Sequence, residues 1–131
     1  MASRIFLDTN ILIYAISDDR KADTAERLLA GGGVISVQVL NEFANVAGKK
    51  LSLKPPEIAD ATRRFCALCE VLPITTPLHF DALRIVERYR LGFYDSLIVA
   101  TALAAECSTL YTEDLHGGQT FERKLKLVNP F

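Results

Sequence analysis

Short, wholly apolar runs separated by long helical stretches constrain this chain more than any other feature. Ile5-Phe6-Leu7, Val34-Ile35, Val71-Leu72 and Thr109-Leu110-Tyr111 each read as a buried strand, with Leu127-Val128 a weaker fifth. These runs do not alternate polar and apolar residues, so both faces of each strand must be covered. Strands of that kind interleaved with helices imply a parallel sheet clothed on both sides. Such sheets gather their ligands beyond the carboxyl ends of the strands, which is where chemistry should be sought.

The stretches between the runs carry helix signals. Asn10 to Ala15 predicts a short helix, and Lys21 to Leu29 an amphipathic one stopped by Gly31-Gly32-Gly33. Ser36 is placed to cap a helix from Val37 to about Gly48, whose apolar face is Leu40, Phe43, Ala44 and Ala47. Pro55-Pro56 opens another to about Leu68. Thr76-Pro77, read as cap then proline, opens one ending near Tyr89. Tyr94 to Ala105 is apolar nearly all round and predicts a buried central helix.

Composition narrows the class. The 131 residues are the size of one domain, so 1–131 are expected to fold together. No apolar run is long enough to span a membrane, and the segment before Asp8 is too short for a signal peptide. Three cysteines suit a reducing compartment, so a cytoplasmic protein is expected. The net charge of −1 excludes a broad basic face for nucleic acid. Basic residues gather instead at Lys49, Lys50 and Lys54, with Arg63 and Arg64 nearby; at Arg84, Arg88 and Arg90; and at Arg123, Lys124 and Lys126.

Four carboxylates fall where the sheet topology points. Asp8 directly follows the first strand, and Asp114 lies just beyond the fourth. Asp95 begins the buried helix. Glu42 sits in the second turn of the helix leaving the second strand, on one face with Gln38 and Asn45. Singly, each has an ordinary explanation: Asp8 and Asp95 as helix caps, Glu42 and Asp114 as solvated surface. Together at one edge they would repel by about 4 kcal/mol per close pair at an effective dielectric of 20. A cation or a bound proton relieves that repulsion. Oxygen-only donors select Mg²⁺, with Mn²⁺ able to substitute, and no matching His and Cys set is present for zinc.

Four segments carry a family resemblance. Phe6-Leu7-Asp8-Thr9-Asn10-Ile11-Leu12 resembles the opening motif of PIN-domain proteins, VapC-type toxins especially. Ser36 to Phe43, Tyr94 to Ala102, and Thr112-Glu113-Asp114-Leu115 with Gly117-Gly118-Gln119 resemble the second, third and fourth motifs, in the family's order. The resemblance implies a three-layer α/β/α sandwich with a short central parallel sheet. It implies metal ligation by Asp8 and Asp95, with Glu42 and Asp114 completing the pocket and Thr9, Asn10 and Thr112 orienting them. It also implies ribonuclease activity, a homodimer, and a small antitoxin as partner.

The function expected is hydrolysis of RNA phosphodiester bonds by metal-activated water, as the toxin of a toxin–antitoxin pair. Two rival readings compete. An aspartyl-phosphate phosphotransferase would want a second Asp in Asp8-Thr9-Asn10 and a Lys at the end of a late strand, and has neither. A catalytically silent module binding RNA or protein would have no need of four mutually repelling acids. Cys66 and Cys69, at i and i+3 on a helix, read as buried thiols, Cys107 as core, His79 as structural, and His116 as a loop residue within reach of a phosphate.

Overall fold

The computed structural model describes residues 4–115 and 117–131. Its elements, in chain order, are β1 (Ile5–Leu7), α1 (Thr9–Ala15), α2 (Ala22–Ala30), β2 (Val34–Ser36), α3 (Val37–Lys50), α4 (Pro55–Leu68), β3 (Glu70–Leu72), α5 (Thr76–Tyr89), α6 (Phe93–Ala104), β4 (Thr109–Tyr111), β5 (Thr120–Phe121) and β6 (Leu125–Val128). Side-chain caps start three of the helices. The Asp8 carboxylate accepts from Thr9 N, Ser36 Oγ from Val39 N at 3.3 Å, and Thr75 Oγ1 from Leu78 N at 3.4 Å. The cap of α5 is therefore Thr75, not Thr76; Thr76 and Pro77 are already inside its first turn.

The sheet runs β3-β2-β1-β4-β6-β5, with every adjacent pair parallel except β5–β6. The sheet is thus the expected parallel one, with a single antiparallel hairpin added at its edge. β5 lies too close in sequence to β6 for a crossover, so the two must pair antiparallel. Glu122 and Arg123 make the turn with φ of 51° and 57°. The loop between paired Phe121 and Leu125 has three residues, and consecutive left-handed positions ordinarily carry Asn or Gly, so Glu-Arg gives no sequence signal for it.

Strand order fixes the layers. The chain steps from β1 to β2 to β3 in one direction, then returns past both to place β4 on the far side of β1. Parallel crossovers are right-handed, so the outward steps leave α1 to α4 on one face and the return carries α5 and α6 across the other. The contacts agree: α1 packs on α2 and α3, α4 on α3, and α5 on α6. The result is the expected three-layer α/β/α sandwich. Phe6, Leu7, Ile35, Leu110 and Leu127 from the strands are fully buried between the layers. Phe43 of α3 meets Phe65 of α4 edge-on at 4.8 Å, and Leu97 to Ala102 of α6 are buried on every side. Among the described residues no helix is long and apolar enough to cross a membrane.

Candidate functional site

The strand order reverses between β1 and β4, which run parallel, and there the two following segments part and leave a crevice at the carboxyl edge. Phe6 pairs with Leu110 and Leu7 with Tyr111, so Asp8 and Thr112 come next, side by side. Asp8 is 6% exposed and Thr112 is fully buried. Both Asp8 oxygens accept hydrogen bonds: Oδ1 from Thr9 N at 2.7 Å and Oδ2 from Thr112 Oγ1 at 2.8 Å. The Thr112 oxygen in turn accepts from Asn10 Nδ2 at 3.3 Å and Asp114 N at 3.2 Å, which uses all its capacity. Asn10 Nδ2 also donates to Asp114 Oδ2 at 3.1 Å, and Asn10 Oδ1 accepts from Glu113 N at 3.3 Å. A buried carboxylate with both oxygens engaged is no exposed nucleophile, which argues against the phosphotransferase.

A second arm reaches α3 and α6. Thr9 Oγ1 donates to Glu42 Oε2 at 2.7 Å. Gln38 Nε2 donates to Glu42 Oε1 at 2.8 Å and to the Tyr94 carbonyl at 3.1 Å. Tyr94 precedes Asp95, which stands exposed in the first turn of α6. Asp8, Glu42 and Asp114 are thus joined in one network, and Asp95 adjoins it. The open side is a cleft of about 510 Å³ onto which Thr9, Asn10, Glu42 and Asp114 face.

Burial pushes the Asp8 carboxyl up to about 6, against the pull of the Thr9 amide and the Thr112 hydroxyl; the charges of Glu42 and Asp114 raise it further. Burial also raises Asp95, helped by Asp114 and then Glu42. Repulsion between the acids is real, but loss of water is the larger burden, which sequence spacing alone could not show.

The PIN domain family model matches residues 5–122. The chain belongs to the PIN domain family. No match was found among curated proteins. Among solved structures, a toxin–antitoxin complex from Klebsiella pneumoniae is similar at 25% identity over 98% of each chain, with a TM-score of 0.73. VapBC2 from Rickettsia felis, bound to a DNA fragment from its promoter, is similar at 26% identity over 94% of this chain and 96% of that one, with a TM-score of 0.66. A sarcin–ricin-loop-cleaving VapC20 toxin from Mycobacterium tuberculosis shares the fold, at 22% identity over 84% and 89% of the chains and a TM-score of 0.71.

The donors of this PIN domain suit a hard cation. They are oxygens: the carboxylates of Asp8, Glu42, Asp95 and Asp114. As they stand, no three His, Cys, Asp or Glu side chains among the described residues close tightly enough to enclose an ion. Neutral donors (Thr9, Asn10, Gln38, Thr112) each hold a carboxylate oxygen that an ion would compete for.

Three residues have contacts at the site that sequence reading did not assign them, although it placed Gln38 on the Glu42 face and Lys50 in a basic group. Gln38 bridges α3 and α6, as described above. Lys50, from the first basic group, faces the cleft with the acids. Lys21 pairs with Glu113 and lies 4.8 Å over the Tyr14 ring, tying α1 to the loop that carries Asp114. Only proximity in the fold reveals these. Four arginines of the other basic groups are ion-paired: Arg64 with Glu26 at 2.6 Å, Arg88 with Glu122 at 2.7 Å, Arg63 with Asp60 at 2.9 Å, and Arg84 with Asp81. Cys69 and Cys107 are buried free thiols, whereas Cys66 is exposed, since it lies on the outer side of α4 from Phe65. His79 lies 5.1 Å from the Phe93 ring. His116 lies outside the described residues.

Proposed function

We propose that this PIN domain is a Mg²⁺-dependent ribonuclease and the toxin of a toxin–antitoxin pair. One observation carries the reading: a buried carboxylate, Asp8, at the crevice where the strand order reverses, linked through Thr112 and Asn10 to Asp114 and lying within the field of Glu42. Burying a charge there is costly unless something offsets it, and a divalent ion does so. The similarity to toxin–antitoxin complexes supports a small antitoxin as partner, and membership of the PIN family favours RNA as substrate. A cytoplasmic homodimer completes the proposal.

Asp8, Glu42, Asp95 and Asp114 would hold the ion. When bound, it makes a water more acidic and offsets charge developing on the phosphate. The chain's own residues supply orientation. Thr112 and the Thr9 amide fix the plane of the Asp8 carboxylate. Thr9 steers Glu42, and Asn10 steers Asp114. Asp95, exposed at the start of α6, is open to the substrate. Attack by water at phosphorus breaks the bond to the 3′ oxygen and leaves a 5′-phosphate and a 3′-hydroxyl. The test is cleavage of total RNA with Mg²⁺ or EDTA by wild type, Asp8→Asn and Asp95→Asn. Loss of roughly a hundredfold or more is expected with EDTA and in each variant. Undiminished cleavage in EDTA, or cyclic 2′,3′-phosphate ends, overturns the proposal.

A further inference from the structure

We propose that Gln38 is a positioning residue that sets Glu42 relative to Asp95 for metal binding; the inference rests on the acids holding a divalent ion. Its single amide nitrogen spans two elements. It donates to the Glu42 carboxylate one turn ahead on α3, and to the Tyr94 carbonyl in the first turn of α6, beside Asp95. α3 and α6 lie on opposite faces of the sheet, and they carry one acid each at this edge. The distance between those acids depends on how the layers meet, and the Gln38 amide is a direct polar tie between them.

The joint is built at the expense of stability. Among the described residues, two buried side-chain polar atoms lack a partner: Gln38 Oε1 and Ser96 Oγ. Gln38 Oε1 is the one that belongs to this joint; Ser96 Oγ is buried one residue past the exposed Asp95 on α6. A buried acceptor left unpaired is destabilising, whereas an apolar side chain of similar shape carries no such penalty. The two groups that Gln38 serves need it little for stability. Tyr94 is inside α6, where its carbonyl can accept within the helix, and Glu42 is half-exposed to water. Thr9 and Gln38 each donate to one oxygen of Glu42, so the two bonds together fix the plane of that carboxylate.

The experiment measures Mn²⁺ affinity by calorimetric titration, and melting temperature without metal, in wild type, Gln38→Met, Gln38→Asn, Glu42→Ala and the double variant Gln38→Met/Glu42→Ala. Gln38→Met keeps the volume and loses the donor. It is expected to bind Mn²⁺ about tenfold more weakly while melting no lower than wild type. Gln38→Asn keeps the amide but is one methylene too short, and should weaken binding similarly. In the Glu42→Ala background Gln38→Met should change affinity little, because it acts through Glu42. Unchanged affinity in both Gln38 variants overturns the inference, as does a lower melting temperature with unchanged affinity, which marks a packing role. Full additivity in the double variant overturns it too. If wild type itself binds no Mn²⁺, the metal reading fails first, and this inference falls with it.

Discussion

At the scale of single residues the site is governed by what Asp8 lost on folding. Its carboxyl titrates near 6 when folded, against 3.8 for an exposed aspartate. Between those values the folded chain binds a proton that the unfolded chain does not, so Asp8 favours folding as pH falls through that window. Above about pH 6 the penalty is fully present. A rise of that size corresponds to about 3 kcal/mol for this nearly inaccessible group. Metal-free Asp8→Asn is therefore expected to melt above wild type at pH 7.5, with the gap closing toward pH 5; thermal melts at both pH values check it. A gap that does not narrow on acidification would show that charge burial is not the cause. Thr112→Val removes the hydroxyl that holds Asp8 Oδ2. It should cost about 2 kcal/mol at pH 7.5 and less at pH 5, since Thr112 stabilises the charged form. Denaturant titration at the two pH values gives the comparison.

At the scale of elements, helix starts and helix packing were legible unequally. Ser36 was readable as a cap because its position, at the end of an apolar run and before a periodic one, is local information. The cap of α5 was misplaced by one residue because Thr75 and Thr76 are chemically identical, and only backbone geometry separates them. Thr75→Ala is accordingly expected to cost about 1 kcal/mol and Thr76→Ala well under half of that, read from urea midpoints. The β5–β6 hairpin escaped notice because its turn uses Glu122 and Arg123 in the left-handed region rather than glycine. Packing between α3 and α4 depends on the Phe43–Phe65 edge contact. Phe65→Ala should cost about 3–5 kcal/mol through the cavity it leaves, read from urea midpoints.

At the scale of the whole molecule, an ion that binds only the folded form must stabilise it. At a hundred times its dissociation constant Mg²⁺ should add about 2.7 kcal/mol, or roughly 8 °C in melting temperature for a domain this size. Differential scanning calorimetry with and without Mg²⁺ tests this, and identical traces would remove the basis for a shared site. The sequence by itself determined the alternation of short buried strands with helices, and which acids lie near strand or helix ends. Periodicity and capping are local, and a chain displays them before it folds. Only the tertiary structure decided that β1 lies beside β4, so that Thr112 reaches an aspartate 104 residues away. It alone set the burial that raises Asp8, and it alone brought the Gln38 amide from α3 to the start of α6. Those facts depend on which surfaces exclude water from one another, and solvent exclusion is a property of the packed layers rather than of any segment.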